Sequence, residues 1–387
     1  MRTTTWVIKL SKFCNMRCAY CYEWNELSER RRMSFDLWER VLQAVIHVDG
    51  EGAARFPGVP QRSLIIFHGG EPLALPSAYL EQLLRRFREL TEGSRGRFDL
   101  ALQTNLLSVS DDKLALLRHW NVGLSISFDL APGVRLTASG EPSEGRVAAN
   151  IDRLRGKGIQ LGGIAVLAKH TLPRLAQIYD FYADRGMPMR ILPLFDGPTG
   201  RDLDSFSIDH ASLVGGLQHL FQHWIETDCR IPLYPLNEYF EAALRYLSGV
   251  RRSVWSRAWQ GDGVLLVNVD GKVYRVLDAY EESLALGDLQ RQTMGEILRS
   301  DAYALSLVRD REEFDQHCGS CEYLGACSGA PIYGSRTTAT FPGRCPTAHA
   351  CIAFIVAYLQ GRGYGSEEIR MLRDAAEGTR QGASVGL

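Results

Sequence analysis

The chain has no apolar stretch near 20 residues and no hydrophobic segment at its start that reads as a secretion signal. Neither membrane spanning nor export is therefore indicated, and a cytoplasmic location is expected. A dominant block of one charge is also missing: 44 Lys and Arg stand against 45 Asp and Glu, for a formal net charge of −1. Nucleic acid and membrane surfaces are thus not implied partners. The short basic run Arg30–Arg32 reads as a solvated approach to a helix. A cytosolic chain has little use for disulfides, so nine cysteines point to metal binding or catalysis. Cys14, Cys18 and Cys21 form one group and Cys318, Cys321, Cys327, Cys345 and Cys351 a second. Cys229 stands alone, where a buried, inert thiol on a helix is expected.

At 387 residues, with 45% hydrophobic content, the chain exceeds one compact domain and has ample material for a core. Apolar, β-rich runs at Trp6–Leu10, Ser63–Phe67, Phe98–Thr104, Leu124–Phe128, Leu161–Leu167 and Met189–Leu194 predict six strands. Between them lie amphipathic stretches. Ser34 is a good N-cap for a helix to about Val48, with Leu37, Val41, Ala44 and Val45 on one face. Tyr79–Leu90, Asp111–Trp120, Val147–Leu154 and Leu175–Arg185 repeat the pattern. Alternating β and α units imply a parallel α/β sheet. Six units suit a partial (β/α)6 TIM-like barrel, while the pattern alone fits an open doubly wound sheet equally well. Either way, ligands collect where the strands end.

The cysteine loop directly follows the first strand. It reads Cys14-Asn-Met-Arg-Cys18-Ala-Tyr-Cys21, a C-x3-C-x2-C spacing on one short loop. Three thiolates on a cubane iron–sulfur cluster leave one iron open, able to chelate a small molecule through an amine and a carboxylate. The alternatives are three buried free thiols or a zinc site, although structural zinc takes a fourth ligand and favours paired C-x2-C knuckles. With Asn15 and Tyr20 in place, the loop resembles that of the radical S-adenosylmethionine (radical SAM) enzymes.

Later strand ends carry further parts of that resemblance. His68-Gly69-Gly70-Glu71-Pro72 follows the second strand; paired glycines allow close backbone approach and Glu71 offers a carboxylate to an ammonium group. This is similar to the family's Gly-Gly-Glu motif, which holds the methionyl amine. A tight turn with a carboxylate at a helix start would look the same in isolation. Thr104-Asn105 matches a Thr-Asn-Gly position, with Leu106 in place of the glycine. Ser125-Ile-Ser127-Phe-Asp129 resembles a Ser-x-Asp segment, and Arg135, followed by Gly140, aligns with an arginine for the methionyl carboxylate. The resemblance thus implies cosubstrate contacts from Tyr20, Gly69, Gly70, Glu71, Asn105, Ser127 and Arg135, but names no catalytic acid, base or hydrogen donor.

The stretch Ser207 to Val250 reads as helical, with Leu213, Leu217, Leu220 and Phe221 as a packing stripe. A hairpin follows at Gly263–Val276, turning at Asp270-Gly271, and then Gly287-Asp-Leu289, a helix and Cys318-x2-Cys321-x5-Cys327. This order resembles the SPASM domain of peptide-maturing radical SAM enzymes, which binds two auxiliary [4Fe–4S] clusters. Val276, Pro331 and the cysteine-free run Trp255–Val267 stand where the first auxiliary cluster's cysteines are expected. The resemblance therefore implies one auxiliary cluster, held by Cys318, Cys321, Cys327 and Cys345. Cys351 is a substitute ligand or a packed thiol at the start of an apolar helix ending near Leu359. Four thiolates could also close a zinc site.

The expected division is a radical SAM partial barrel at 1–205, a helical linker at 206–254, a small SPASM-type α+β domain at 255–352 and a C-terminal helix and tail at 353–387. Two [4Fe–4S] clusters, one SAM-binding and one auxiliary, and S-adenosylmethionine are the expected cofactors. The implied activity is reductive cleavage of S-adenosylmethionine to a 5′-deoxyadenosyl radical that takes a substrate hydrogen atom. The expected substrate is a residue in a ribosomally made peptide, modified or crosslinked. Only thirteen residues precede Cys14, so leader recognition is expected from a separate protein or by direct docking at the barrel mouth. A flavodoxin- or ferredoxin-like donor would supply electrons. Small-molecule dehydrogenation or epimerisation and sulfatase maturation are alternative enzyme readings. An iron–sulfur scaffold or sensor is the non-enzyme reading, and it has no use for the glycine-rich and acidic strand ends.

Overall fold

The computed structural model describes residues 2–93, 97–194, 203–251, 263–275, 281–327 and 345–382. Val276, Pro331 and most of the cysteine-free run from Trp255 lie outside the described residues. The first half is built from β1 (Arg2–Ser11), β2 (Met16–Cys18), α1 (Phe35–Arg55), β3 (Gln61–Gly69), α2 (Ser77–Thr91), β4 (Arg97–Thr104) and α3 (Asp111–His119). It continues through β5 (Gly123–Ser127), β6 (Arg135–Thr137), α4 (Glu144–Gly156), β7 (Leu161–Leu167), α5 (Leu175–Ala183) and β8 (Met189–Pro193). All six expected strands form.

Strands β1, β3, β4, β5, β7 and β8 lie side by side in that order, every pair parallel. A doubly wound sheet reverses its strand order at a switch point, whereas a barrel is wound in one direction. Spatial order here follows chain order, so the winding is that of a barrel, and the sheet remains open at its ends. Helix α1 begins where its cap predicts: the Ser34 hydroxyl accepts from the Leu37 amide at 3.2 Å. Leu37, Val41, Ala44 and Val45 are buried, and the helix runs beyond Val48 to Arg55.

The second half holds α6 (His210–Glu226), β9 (Leu233–Tyr234), α7 (Leu236–Leu247), β10 (Gly263–Val267), β11 (Lys272–Arg275) and β12 (Gly287–Asp288). Helices α8 (Met294–Leu298), α9 (Asp301–His317), α10 (Pro346–Gly361) and α11 (Ser366–Gly382) complete it. The helical reading of Ser207–Val250 needs correction, because the stretch is two helices separated by a turn and β9. Asp228 and Cys229 both take left-handed backbone, at φ 58° and 50°, which ends α6. Cys229 is accordingly exposed in that turn rather than buried on a helix. Helix α7 packs against both α10 and α11.

Strand β10 joins the barrel sheet itself, parallel to β1, from Thr4 opposite Gly263 to Ile8 opposite Val267. Strands β11 and β12 extend it antiparallel. The hairpin turns through Gly271, at φ 91°, a conformation glycine adopts without steric cost. Backbone hydrogen bonds thus carry one mixed sheet from the barrel into the second half. Among the described residues no helix is long and apolar enough to cross a membrane.

Candidate active site

Four strand ends meet around the cysteine loop. Cys14 is 7% exposed, and Cys18 and Cys21 are half-buried. The Met16 amide donates to Cys14 Sγ at 3.4 Å, and Asn105 Nδ2 approaches the same sulfur at 3.5 Å. Asn105 Nδ2 also donates to Asn15 Oδ1 at 2.8 Å, so the end of β4 holds the loop directly. Burial pushes the Cys14 thiol up to about 12, with Glu71 adding to the effect, and the Cys21 thiol up to about 11. Thiols that reluctant to ionise become thiolates readily only beside a strong positive charge, which iron supplies.

Cys18 sits in β2, which pairs antiparallel with β6 so that Cys18 faces Arg135. That two-stranded ladder has no hydrophobic alternation to announce it, and the sequence reading missed it. Its effect is to place the guanidinium 5% exposed against the loop. Arg135 approaches the Tyr20 hydroxyl at 3.3 Å and Asp129 at 3.6 Å. The Tyr20 hydroxyl donates to Asp129 Oδ2, and the Val166 amide donates to Asp129 Oδ1 at 2.9 Å. Asp129 is fully buried, so it fixes Tyr20 and Arg135 at the mouth by charge-assisted contacts. Ser127, the last residue of β5, accepts from Gln103 Nε2 at 2.8 Å.

Glu71 is 2% exposed and holds three donors: the Leu73 amide at 2.8 Å, the Thr104 hydroxyl at 2.8 Å and the Asn105 amide at 2.7 Å. It therefore ties β3 to β4 and caps the short turn Pro72–Ala74. A carboxylate has about four acceptor positions, so one remains for an incoming ammonium. The preceding glycines have a more immediate duty than ligand approach. A Cβ on Gly70 would lie 2.2 Å from the carbonyl oxygens of both Lys12 and Phe13, and one on Gly69 2.1 Å from that of Ser11. They let β3 run against the start of the cysteine loop, where the Gly70 and Glu71 amides donate to Ser11 and Phe13 carbonyls, each at 2.9 Å.

Leu106 departs from the expected glycine yet keeps the glycine's backbone, at φ 52°, with its side chain wholly buried. Left-handed backbone costs an L-residue about 1–2 kcal/mol. Leu106→Ala keeps that cost and loses packing; Leu106→Gly loses the packing and relieves the strain. Gly is therefore expected to be the more stable replacement, the reverse of the order in regular structure. Urea unfolding of both variants measures this, and a lower midpoint for Leu106→Gly would refute it.

Beneath the loop lies a charge cluster that the sequence reading overlooked. Lys9 and Lys12 are buried and both reach Glu23 Oε1, at 3.1 and 3.0 Å. The sequence signal was an acid two residues after Cys21 with lysines at the end of an otherwise apolar strand. At the neighbouring strand end, His170 stacks on Tyr20 with ring centroids 5.6 Å apart.

The second cysteine group lies on the loop after α9 and the start of α10. Cys318 caps α9 and is 8% exposed, and Cys321 and Cys327 follow half-buried in the turn. Cys345 is the N-cap of α10, while Cys351 lies inside that helix, 2% exposed.

A model of the radical SAM superfamily matches residues 8–182, and a model of the SPASM iron-sulfur cluster-binding domain matches 259–322. The cysteine-type anaerobic sulfatase-maturating enzyme of Clostridium novyi is 22% identical over 84% of this chain and 87% of its own length. The serine-type enzyme of Bacteroides thetaiotaomicron is 23% identical over 82% and 79%. Among solved structures, native anSMEcpe with bound AdoMet and Kp18Cys peptide superposes with a TM-score of 0.72 at 16% identity, over 96% of this chain and 99% of that one. Streptococcus suis SuiB bound to its precursor peptide SuiA gives 0.56 at 15%, over 89% and 75%.

Proposed function

The chain is a member of the radical SAM superfamily with a C-terminal SPASM domain, and from that premise we propose that it removes a hydrogen atom from a side-chain carbon of a peptide substrate. Its cofactors are a [4Fe–4S] cluster with S-adenosylmethionine and auxiliary iron–sulfur. When bound, cluster and S-adenosylmethionine supply one-electron reductive cleavage and a radical able to take that hydrogen. The carrying observation is the convergence of Cys14, Cys18, Cys21, Glu71, Asn105 and Arg135 through direct contacts at successive strand ends.

In this reading the three cysteines hold the cluster, with Asn105 and the Met16 amide steadying Cys14. Gly69 and Gly70 seat the loop. Glu71 receives the methionyl amine at its remaining acceptor position. Arg135, held by Asp129 and Tyr20, turns its other N–H groups to the carboxylate, and Ser127 adds a polar contact beside them. The auxiliary cluster belongs to Cys318, Cys321, Cys327 and Cys345. Four thiolates would close a zinc site as well; iron is favoured because the sequence around these cysteines follows the SPASM pattern. Cys345 is preferred to Cys351 because the N-terminal end of a helix stabilises an anionic sulfur.

The boundaries we propose remain 1–205 for the barrel, 206–254 for the helices beside it, 255–352 for the SPASM part and 353–387 for the terminal helix. A flavodoxin- or ferredoxin-like protein is the proposed electron donor, and a separate leader-binding protein the proposed recognition partner. The preferred substrate is a ribosomally made peptide, in keeping with the peptide-bound SuiB and anSMEcpe neighbours. Sulfatase maturation is the second reading, favoured by two of the relatives that span most of this chain.

The test is anaerobic. Reduced, reconstituted protein is expected to release 5′-deoxyadenosine from S-adenosylmethionine, and deuterium from a side-chain-labelled precursor peptide should appear in it. Label arriving instead from a sulfatase peptide selects the second reading; label arriving only from a free amino acid or sugar overturns the peptide proposal. Glu71→Gln serves as the site control. Weakening a charge-assisted contact costs about 1.5–3 kcal/mol, so affinity for S-adenosylmethionine should fall roughly ten- to a hundred-fold. Unaltered affinity would remove Glu71 from the site.

A further inference from the structure

Helix α7 has a part in the C-terminal cysteine site that its sequence does not advertise. Two of its side chains make contacts at that site, and a third, Tyr239, is buried on the same helix. Arg245, 3% exposed, donates through Nη1 to the carbonyl of Ala326 at 2.8 Å, immediately before Cys327. Its other nitrogens reach Glu241 of the same helix and Glu377 of α11. Tyr246 packs edge-on against Tyr323, between Cys321 and Cys327, with centroids 4.8 Å apart. Tyr239, about two turns before Tyr246, is 1% exposed.

Tyr239 is the unusual member. Its hydroxyl is buried and has no hydrogen-bond partner in the described structure. A buried hydroxyl without a partner is costly, so folds seldom keep one unless something accepts its proton. Cys351, Cys345 and Cys327 lie near it, in that order of electrostatic effect and ahead of Glu238. Helix α7 packs directly on α10, which carries Cys345 at its start and Cys351 within it. A second buried hydroxyl, Thr347, also lacks a partner and lies two residues beyond Cys345. Two buried hydroxyls without partners, one near Cys345 and Cys327 and the other two residues beyond Cys345, offer donors to a group held by those cysteines.

We propose that the Tyr239 hydroxyl donates a hydrogen bond to a sulfur of the auxiliary cluster, making α7 the element that sets that cluster's reduction potential. The inference rests on the iron–sulfur reading of Cys318, Cys321, Cys327 and Cys345. Reduction adds negative charge to the cluster, and a donor to its sulfur is worth more after that charge arrives. Tyr239 therefore favours the reduced state, and its removal lowers the potential.

The experiment uses the full chain carrying Cys14→Ala, Cys18→Ala and Cys21→Ala, so that iron reports the C-terminal site alone. Iron content and the midpoint from an EPR-monitored redox titration are compared with and without Tyr239→Phe. The expected result is unchanged iron and a roughly tenfold weaker reduction equilibrium, about 59 mV lower for a one-electron couple. Equal iron with an equal midpoint overturns the proposal and leaves the cluster reading intact. No iron–sulfur signal in the Tyr239-containing protein overturns both. Should Tyr239→Phe hold no iron, 3-fluorotyrosine at position 239 keeps the ring and gives a more acidic donor. Its midpoint should then rise, and an unmoved midpoint overturns the proposal.

Discussion

Protein carrying Cys14→Ala, Cys18→Ala and Cys21→Ala is expected to bind about four irons where the parent binds about eight, on the count of one cubane per cysteine group. It should release no 5′-deoxyadenosine. The effect on activity is complete because these thiolates are the only proposed ligands of the iron that faces the cosubstrate. The fold should persist, since the loop is also held by Asn105, by the β2–β6 ladder and by the glycine contacts of β3. Iron analysis with electron paramagnetic resonance on both proteins decides the matter. Near twelve irons in the parent would mean that a first auxiliary cluster is present despite Val276 and Pro331. About four irons with one zinc would make the C-terminal site a zinc site. Replacing Cys345 alone should remove the C-terminal iron, whereas replacing Cys351 should not; the opposite pair of results would exchange their roles.

Much of this arrangement could be read from the chain because its signals are local. Each barrel strand is an apolar β-rich run, and the Ser34 cap and the stripe of α1 follow helical spacing, so periodicity suffices. The cysteine triplet is legible for the same reason: its ligands share one loop. Three features were beyond reach because their partners are distant in sequence. The pairing of Cys18 with Arg135 spans two three-residue strands, too short to show a pattern. The placement of β10 against β1 joins residues some 260 positions apart, and nothing in a hairpin's sequence names its neighbour. Lysines in a strand or just past its end read as surface residues, yet Lys9 and Lys12 are buried because Glu23 returns beneath them. Cys229 misled in the other direction. The helical pattern of α6 stops just before it, and only its backbone angle shows the turn.

Glu23→Gln should be strongly destabilising although it touches no proposed ligand. Lys9 and Lys12 are 0% and 1% exposed, and Glu23 takes an ammonium from each within 3.1 Å. Lys12 also reaches Glu26, whose side chain is 46% exposed and correspondingly screened. Removing one partner of a buried ion pair costs about 3–5 kcal/mol, a large part of the roughly 5–15 kcal/mol that stabilises an ordinary domain. Burial alone would raise the Glu23 carboxyl, but Lys9 and Lys12 reverse that and hold it at about 2, below its ordinary 4.5. Because the folded value is the lower one, its contribution is fully present above about pH 4.5 and is lost as pH falls towards 2. Urea unfolding at neutral pH should therefore separate the variant from the parent widely, and the separation should close through that acid window. Glu26→Gln should move the midpoint little. Adding Lys9→Met to Glu23→Gln should recover part of the loss, since it withdraws one of the two stranded charges. Equal midpoints for Glu23→Gln and the parent at neutral pH would show that the lysines find sufficient counter-charge elsewhere, and that this cluster does not anchor the cysteine loop.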